Sequence, residues 1–174
     1  MKLFFALLAF AFANESIQFT PATTKLNIPT ATTIFSKDAQ LTAPKGWSIG
    51  MNLQNNSTVK YEILLAPNKD LSTSDVHAGL LLKGMPSAMS LEEKKKTLEA
   101  NKGYGVTYQT INGDKWLFST HEIIHQKGFP YIEISGTLIK GNREFLLLAG
   151  YPKNQESTIK SQIDEIISTV KIKN

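Results

Sequence analysis

The chain has 174 residues, of which 41% are apolar and none is cysteine, and it carries a formal net charge of +4. The missing thiols exclude disulfides, thiolate metal centres, a cysteine nucleophile and a lipid-modified cysteine anchor. The length suits one domain held by its core alone, since a chain of this size buries roughly two-thirds of its unfolded surface, and the mild basic excess points to no nucleic-acid partner.

At the amino terminus Lys2 precedes the apolar run Leu3 to Ala13, and Ala11 and Ala13 flank Phe12 in the small-x-small arrangement of a signal-peptidase site. The run is about half the roughly 20 residues that a membrane-spanning helix needs. Residues 1–13 therefore read as a cleavable signal peptide, and the mature protein is expected in the periplasm or outside the cell without a membrane anchor. Residues 14–34 are rich in Thr, Ala and Pro, with Pro21 and Pro29 and little apolar periodicity, and read as an arm or linker. A single domain is expected over 35–174.

Within it, Val59 to Ala66 and Val76 to Leu82 are rich in leucine and β-branched residues and read as strands. Ser90 followed by Glu93 is a capping box and opens a helix from Leu91 to about Ala100, which stops at Asn101-Lys102-Gly103. Lys94, Lys95 and Lys96 form its solvated face. Val106 to Ile111 and Lys115 to Ile124 form a hairpin, because Asn112-Gly113 supplies the positive φ angles of a tight reversal. Tyr131 to Lys140 and Glu144 to Ala149 follow as strands joined through Gly141-Asn142. Ile159, Ile163, Ile166, Ile167 and Val170 then repeat with helical spacing and predict a terminal helix lying on the sheet.

Four segments carry a family resemblance: Ala43-Pro44-Lys45-Gly46-Trp47 before an early strand, Ile111-Asn112-Gly113 in the central hairpin, Gly150-Tyr151-Pro152 at the end of a long strand, and Ile167-Ser168-Thr169-Val170-Lys171 closing the last helix. Their order resembles the PsbP-like family, which includes the photosystem extrinsic subunit PsbP and exported bacterial proteins of the DcrB type. The resemblance implies an α+β fold, an antiparallel sheet of about six strands with helices on both faces in an α-β-α sandwich. It implies a binding or assembly scaffold and no reaction, so there is no family catalytic residue to carry over.

His121-Glu122-Ile123-Ile124-His125 matches the HExxH motif of zinc peptidases, with Gly128 further along as in astacin-like metzincins. That chemistry needs a helix, so that imidazoles at i and i+4 share one zinc while the glutamate reaches its bound water. The hairpin signal at Asn112-Gly113-Asp114 and the Trp, Phe, Thr and Ile content after it instead favour a strand. On a strand His121 and His125 would lie about 13 Å apart at about 3.3 Å per residue, with Glu122 on the opposite face. The metzincin pattern further demands a third ligand where Tyr131 stands, and Met1, Met51, Met85 and Met89 supply no downstream Met-turn. Glu144 or Glu156 could serve a glutamate-ligand variant, although Lys127 occupies a position usually apolar in such helices.

There is no G-x-S-x-G elbow, no P-loop and no dinucleotide fingerprint, and Gly103-Tyr104-Gly105 reads as a helix stop. Trp47 and Trp116 are the aromatic candidates for a ligand surface, with core or edge packing as their ordinary role. His77 reads as a lone strand histidine. The expectation is an exported non-enzymatic protein without cofactor that binds a protein or small ligand. The alternative is a small zinc endopeptidase with zinc on His121 and His125 and Glu122 as its base.

Overall fold

The computed structural model describes residues 26–27, 30–36, 38–55, 59–67, 74–83, 89–100 and 105–173. The expected signal peptide and residues 101–104 lie outside them. The elements in chain order are β1 (Leu26–Asn27), β2 (Thr32–Phe35), β3 (Ala39–Ala43), β4 (Ser48–Asn55), β5 (Val59–Ala66), β6 (His77–Lys83) and α1 (Leu91–Glu99). There follow β7 (Gly105–Ile111), β8 (Asp114–Ile124), β9 (Pro130–Lys140), β10 (Arg143–Pro152), a 3-10 turn (Lys153–Gln155), α2 (Glu156–Ser168) and β11 (Lys171–Ile172).

The main sheet is antiparallel, in the order β1-β4-β5-β6-β10-β9-β8-β7. It has seven full strands and the two-residue β1, more than the six or so expected. A separate sheet of three strands, β11-β3-β2, was not foreseen. Of the arm expected over residues 14–34, residues 14–25 and 28–29 lie outside the described residues, while β1 and most of β2 fall within its bounds. Backbone pairing with β3 orders β2, and Ile34 anchors it in the core.

Strands β7 to β10 run consecutively because their turns are encoded locally. Asn112 and Gly113 both have positive φ, 50° and 89°, as a type I′ turn requires. Gly141, at φ 61°, is the first central residue of the next reversal, which Asn142 completes at negative φ in a type II′ turn. Between β8 and β9, Gly128 takes φ 84°.

Alternation along these strands sorts the side chains into two layers. Trp116 and Phe118 of β8, Ile134 and Leu138 of β9, and Phe145, Leu147, Ala149 and Tyr151 of β10 join the core beneath α2. Helix α2 buries Ile163, Ile166 and Ile167 there, each contributing about 1.5–3 kcal/mol, with Ile159 half-buried beside them. Val170, expected on the helical stripe, lies beyond the end of the helix and is buried in the connection to β11. The Trp47 indole donates to Oε1 of Gln162 at 2.7 Å, and the Asn112 amide donates to the carbonyls of Ser168 at 3.1 Å and Val170 at 2.8 Å. The central hairpin is thus tied to the carboxy-terminal end of α2.

Helix α1 lies on the opposite face. Its amino terminus closes with the expected capping box between Ser90 and Glu93. Lys94 is not solvated as the sequence suggested: it forms an ion pair with the buried Glu144 of β10. A buried carboxylate holds its charge only when paired, so this lysine fixes the helix on the sheet. The described helices therefore place one on each face, fewer than a fully covered sandwich.

Candidate functional site

The HExxH residues lie on strand and turn. His121 and Glu122 are in β8, as their β-forming neighbours predict, with His121 opposite Glu133 and Glu122 opposite Ile132. The Nε2 atom of His121 is 2.9 Å from Oε2 of Glu133 on the α1 face. Glu122 points to the other face and meets Nζ of Lys153 at 2.5 Å. His125 stands in the turn, where its carbonyl accepts the Gly128 N–H at 2.7 Å and its N–H donates to the Phe129 carbonyl at 2.8 Å. Its Nδ1 accepts the Lys127 N–H at 3.2 Å, which places the proton of the neutral ring on Nε2. The alternative assignment of zinc to His121 and His125 with Glu122 as base meets this geometry badly, because Glu122 faces away from His121. Among the described residues no group of three or more His, Cys, Asp or Glu is arranged to hold a metal.

The sheet order does bring together what the sequence kept apart. Asp75, His77, His125, Phe129 and Tyr131 gather at one end of the α1 face. The Tyr131 hydroxyl lies 3.2 Å from Nδ1 of His77, and the two rings stack with centroids 6.2 Å apart. The His125 ring stacks on Phe129 at 4.6 Å and tilts against Tyr131 at 5.1 Å. Lys127 holds the Asp75 carboxylate at 2.9 Å. The His77 pKa is lowered to about 4, chiefly by burial and then by nearby His125, with Asp75 opposing both. His77 is therefore on a strand as expected but neutral and packed against Tyr131 rather than alone, and His121 and His125 are half-buried.

The two tryptophans take the ordinary packing role. Trp47 and Trp116 are both fully buried core residues. On the α2 face, however, the helix leaves the β7–β9 end of the sheet partly uncovered. A groove of about 560 Å³ opens there. Its floor includes Phe118, Ile132, Ile134 and Tyr151; Gln109 and Thr120 line its strand side, and Glu156, Lys160, Asp164 and Ile167 its helix side. Lys160 pairs with Asp164 at 2.6 Å. The Tyr151 phenol is pushed up to about 12 by burial, with the negative charges of Glu156 and Asp164 adding to it. The groove thus combines an apolar floor with polar walls in which carboxylates outnumber the lysine. Residues from four strands and a helix build it, so no local motif announces it; the alternation of Ile132 and Ile134 toward α2 is the nearest signal.

No family model matches the sequence, and no curated protein matches it. Solved structures do. The solution structure of cyanobacterial PsbP (CyanoP) from Synechocystis sp. PCC 6803 superposes with a TM-score of 0.58 at 9% identity, covering 89% of this chain and 97% of that one. A crystal structure from Bacteroides thetaiotaomicron VPI-5482 superposes with a TM-score of 0.52 at 15% identity, covering 78% of this chain and 45% of that one. LpqN, involved in cell envelope biogenesis of Mycobacterium tuberculosis, is similar at a TM-score of 0.41 and 11% identity over 98% of this chain and 97% of that one. The superposition on cyanobacterial PsbP shows that the chain has a PsbP-like fold.

Proposed function

We propose that this chain is an exported, non-enzymatic binding or accessory protein that takes its ligand in the groove between α2 and the β7–β9 end of the sheet. The observation that carries this reading is the groove itself. Its volume of about 560 Å³ lies within the roughly 300–1,000 Å³ of ordinary ligand sites, and its apolar floor of Phe118, Ile132, Ile134 and Tyr151 offers contact to a ligand while polar side chains surround it. The HExxH histidine and glutamate face opposite sides of β8, which favours binding over metal-assisted hydrolysis. Export rests on the apolar run Leu3 to Ala13 and its small-residue end. Among the described residues no helix is long and apolar enough to cross a membrane.

The test uses a neutral apolar fluorophore, N-phenylnaphthylamine, titrated into the purified protein. Saturable binding that weakens at least tenfold in Thr120→Trp, a change that fills the groove from an exposed strand position, supports the assignment. Binding of equal strength to a folded Thr120→Trp protein, or no saturable binding to the parent, overturns it.

A further inference from the structure

Strand β7 ends the main sheet, pairing with β8 alone among the described strands. Its sequence, Gly105-Val106-Thr107-Tyr108-Gln109-Thr110-Ile111, contains no charge and no proline. Its pairing with β8 runs without a register shift from Gly105 opposite Thr120 to Ile111 opposite Asp114. Lysine, proline and bulges are the devices that keep an edge strand from pairing with another chain, and β7 has none of them.

The tight turn at Asn112-Gly113 determines which backbone groups are free. In a two-residue hairpin the flanking pair, Ile111 and Asp114, is hydrogen-bonded, and bonded pairs then alternate along the ladder. Gln109, Thr107 and Gly105 therefore spend their N–H and C=O groups on β8. Val106, Tyr108 and Thr110 aim theirs outward. The groove adjoins this edge, with Gln109, Thr110 and Ile111 of β7 among its lining residues.

We propose that β7 is a docking edge for an extended peptide segment of a partner protein, which adds as a further strand and sends alternate apolar side chains into the groove. The proposal rests on the groove reading and specifies its occupant. An extended backbone is the ligand that satisfies a row of outward N–H and C=O groups at strand spacing. Side chains at every second position of the added strand fall on the α2 face, where Phe118, Ile132 and Ile134 offer apolar contact. Glu156 and Asp164 against the single Lys160 make the helix wall net negative, so the complementary peptide carries a lysine or arginine beside its apolar positions.

The experiment selects random decapeptides displayed on phage against the immobilised full chain, and measures the enriched peptides as synthetic, labelled probes. Enrichment of alternating apolar sequences with a basic residue is expected. Tyr108→Pro, which removes one outward N–H while sparing every bond to β8, should weaken the probe at least tenfold. Tyr108→Ala, which loses the same ring and retains the N–H, should bind within about twofold of the parent. Amide exchange at Val106, Tyr108 and Thr110 should slow when peptide is bound. Equal affinity for a folded Tyr108→Pro protein overturns the proposal, as does a selection that enriches nothing above the starting library. Loss of binding in Thr120→Trp alone, with Tyr108→Pro unaffected, also overturns edge docking but leaves the groove reading standing; loss in neither variant overturns both.

Discussion

Tyr131 lies across Gly150 so that its hydroxyl comes within 3.2 Å of Nδ1 of His77, a residue 54 positions away in the chain. The contact exists because Gly150 has no side chain: a Cβ there would sit 2.5 Å from the tyrosine oxygen. Gly150 pairs with His77 on one side and Glu133 on the other, so the missing side chain opens a slot in the α1 face of β10 that the Tyr131 ring fills.

Gly150→Ala should therefore be destabilising although alanine suits a strand no worse than glycine. The phenol must move, which costs roughly 1–3 kcal/mol as overpacking of a close-packed site. A chemical-denaturation midpoint lowered by that amount is expected; an unchanged midpoint would show that Tyr131 has room to rotate away.

The same cluster makes stability sensitive to acid. His77 binds its proton near pH 6.5 in an unfolded chain and near pH 4 in the folded one. Between those values the unfolded state carries the additional proton, so stability is fully present above about pH 6.5 and is lost as pH falls toward 4. With Asp75, His125 and Tyr131 facing the ring, the loss is at most about 3 kcal/mol. His77→Gln cannot titrate and should show a flatter melting temperature over this window. Parallel pH profiles for the two proteins would contradict the assignment.

The strand at the HExxH motif predicts two unequal outcomes. Ile123 alternates with His125, whose N–H bonds to Phe129 across the hairpin, so Ile123→Pro removes a bond to β9 and should cost roughly 1–3 kcal/mol with the distortion included. Glu122→Gln removes an exposed, solvent-screened pair with Lys153 and should leave the denaturation midpoint essentially unchanged. Protein purified without a histidine tag should also contain the same trace of zinc before and after His121→Ala. Stoichiometric zinc that disappears in His121→Ala would contradict the strand geometry.

Ending the chain at Gln155 removes α2 and uncovers the core beneath it. Trp47 loses the acceptor on Gln162, Asn112 loses both carbonyls, and three buried isoleucines go with the helix. Against a total stability of about 5–15 kcal/mol, this leaves an unfolded or insoluble product. Cooperative melting of a soluble truncated protein would show that α2 is dispensable.

Legibility in the sequence followed the range of the interactions. The hairpins from β7 to β10 were readable because Asn112-Gly113 and Gly141-Asn142 encode their own reversals, and α2 because its isoleucines repeat every helical turn. β2 was not readable: Ile34 is its lone buried side chain, and pairing with β3 makes the strand. Glu144 and Lys94 belong to elements whose contact the chain order does not reveal, so a lysine run looked merely solvated. The His77–Tyr131 contact arises from a sheet order in which β6 joins β10, a long-range pairing without a local signature, and the groove arises from where α2 lies on the β7–β10 end of the sheet.

The central claim is that binding occurs at the groove between α2 and the β7–β9 end of the sheet, and amide chemical-shift mapping with N-phenylnaphthylamine tests it most directly. Shifts should concentrate at Gln109, Thr120, Ile132, Ile134 and Ile167, which line the groove. Shifts concentrated at His121, His125 and Tyr131 on the opposite face would contradict the account and move the site to the histidine cluster.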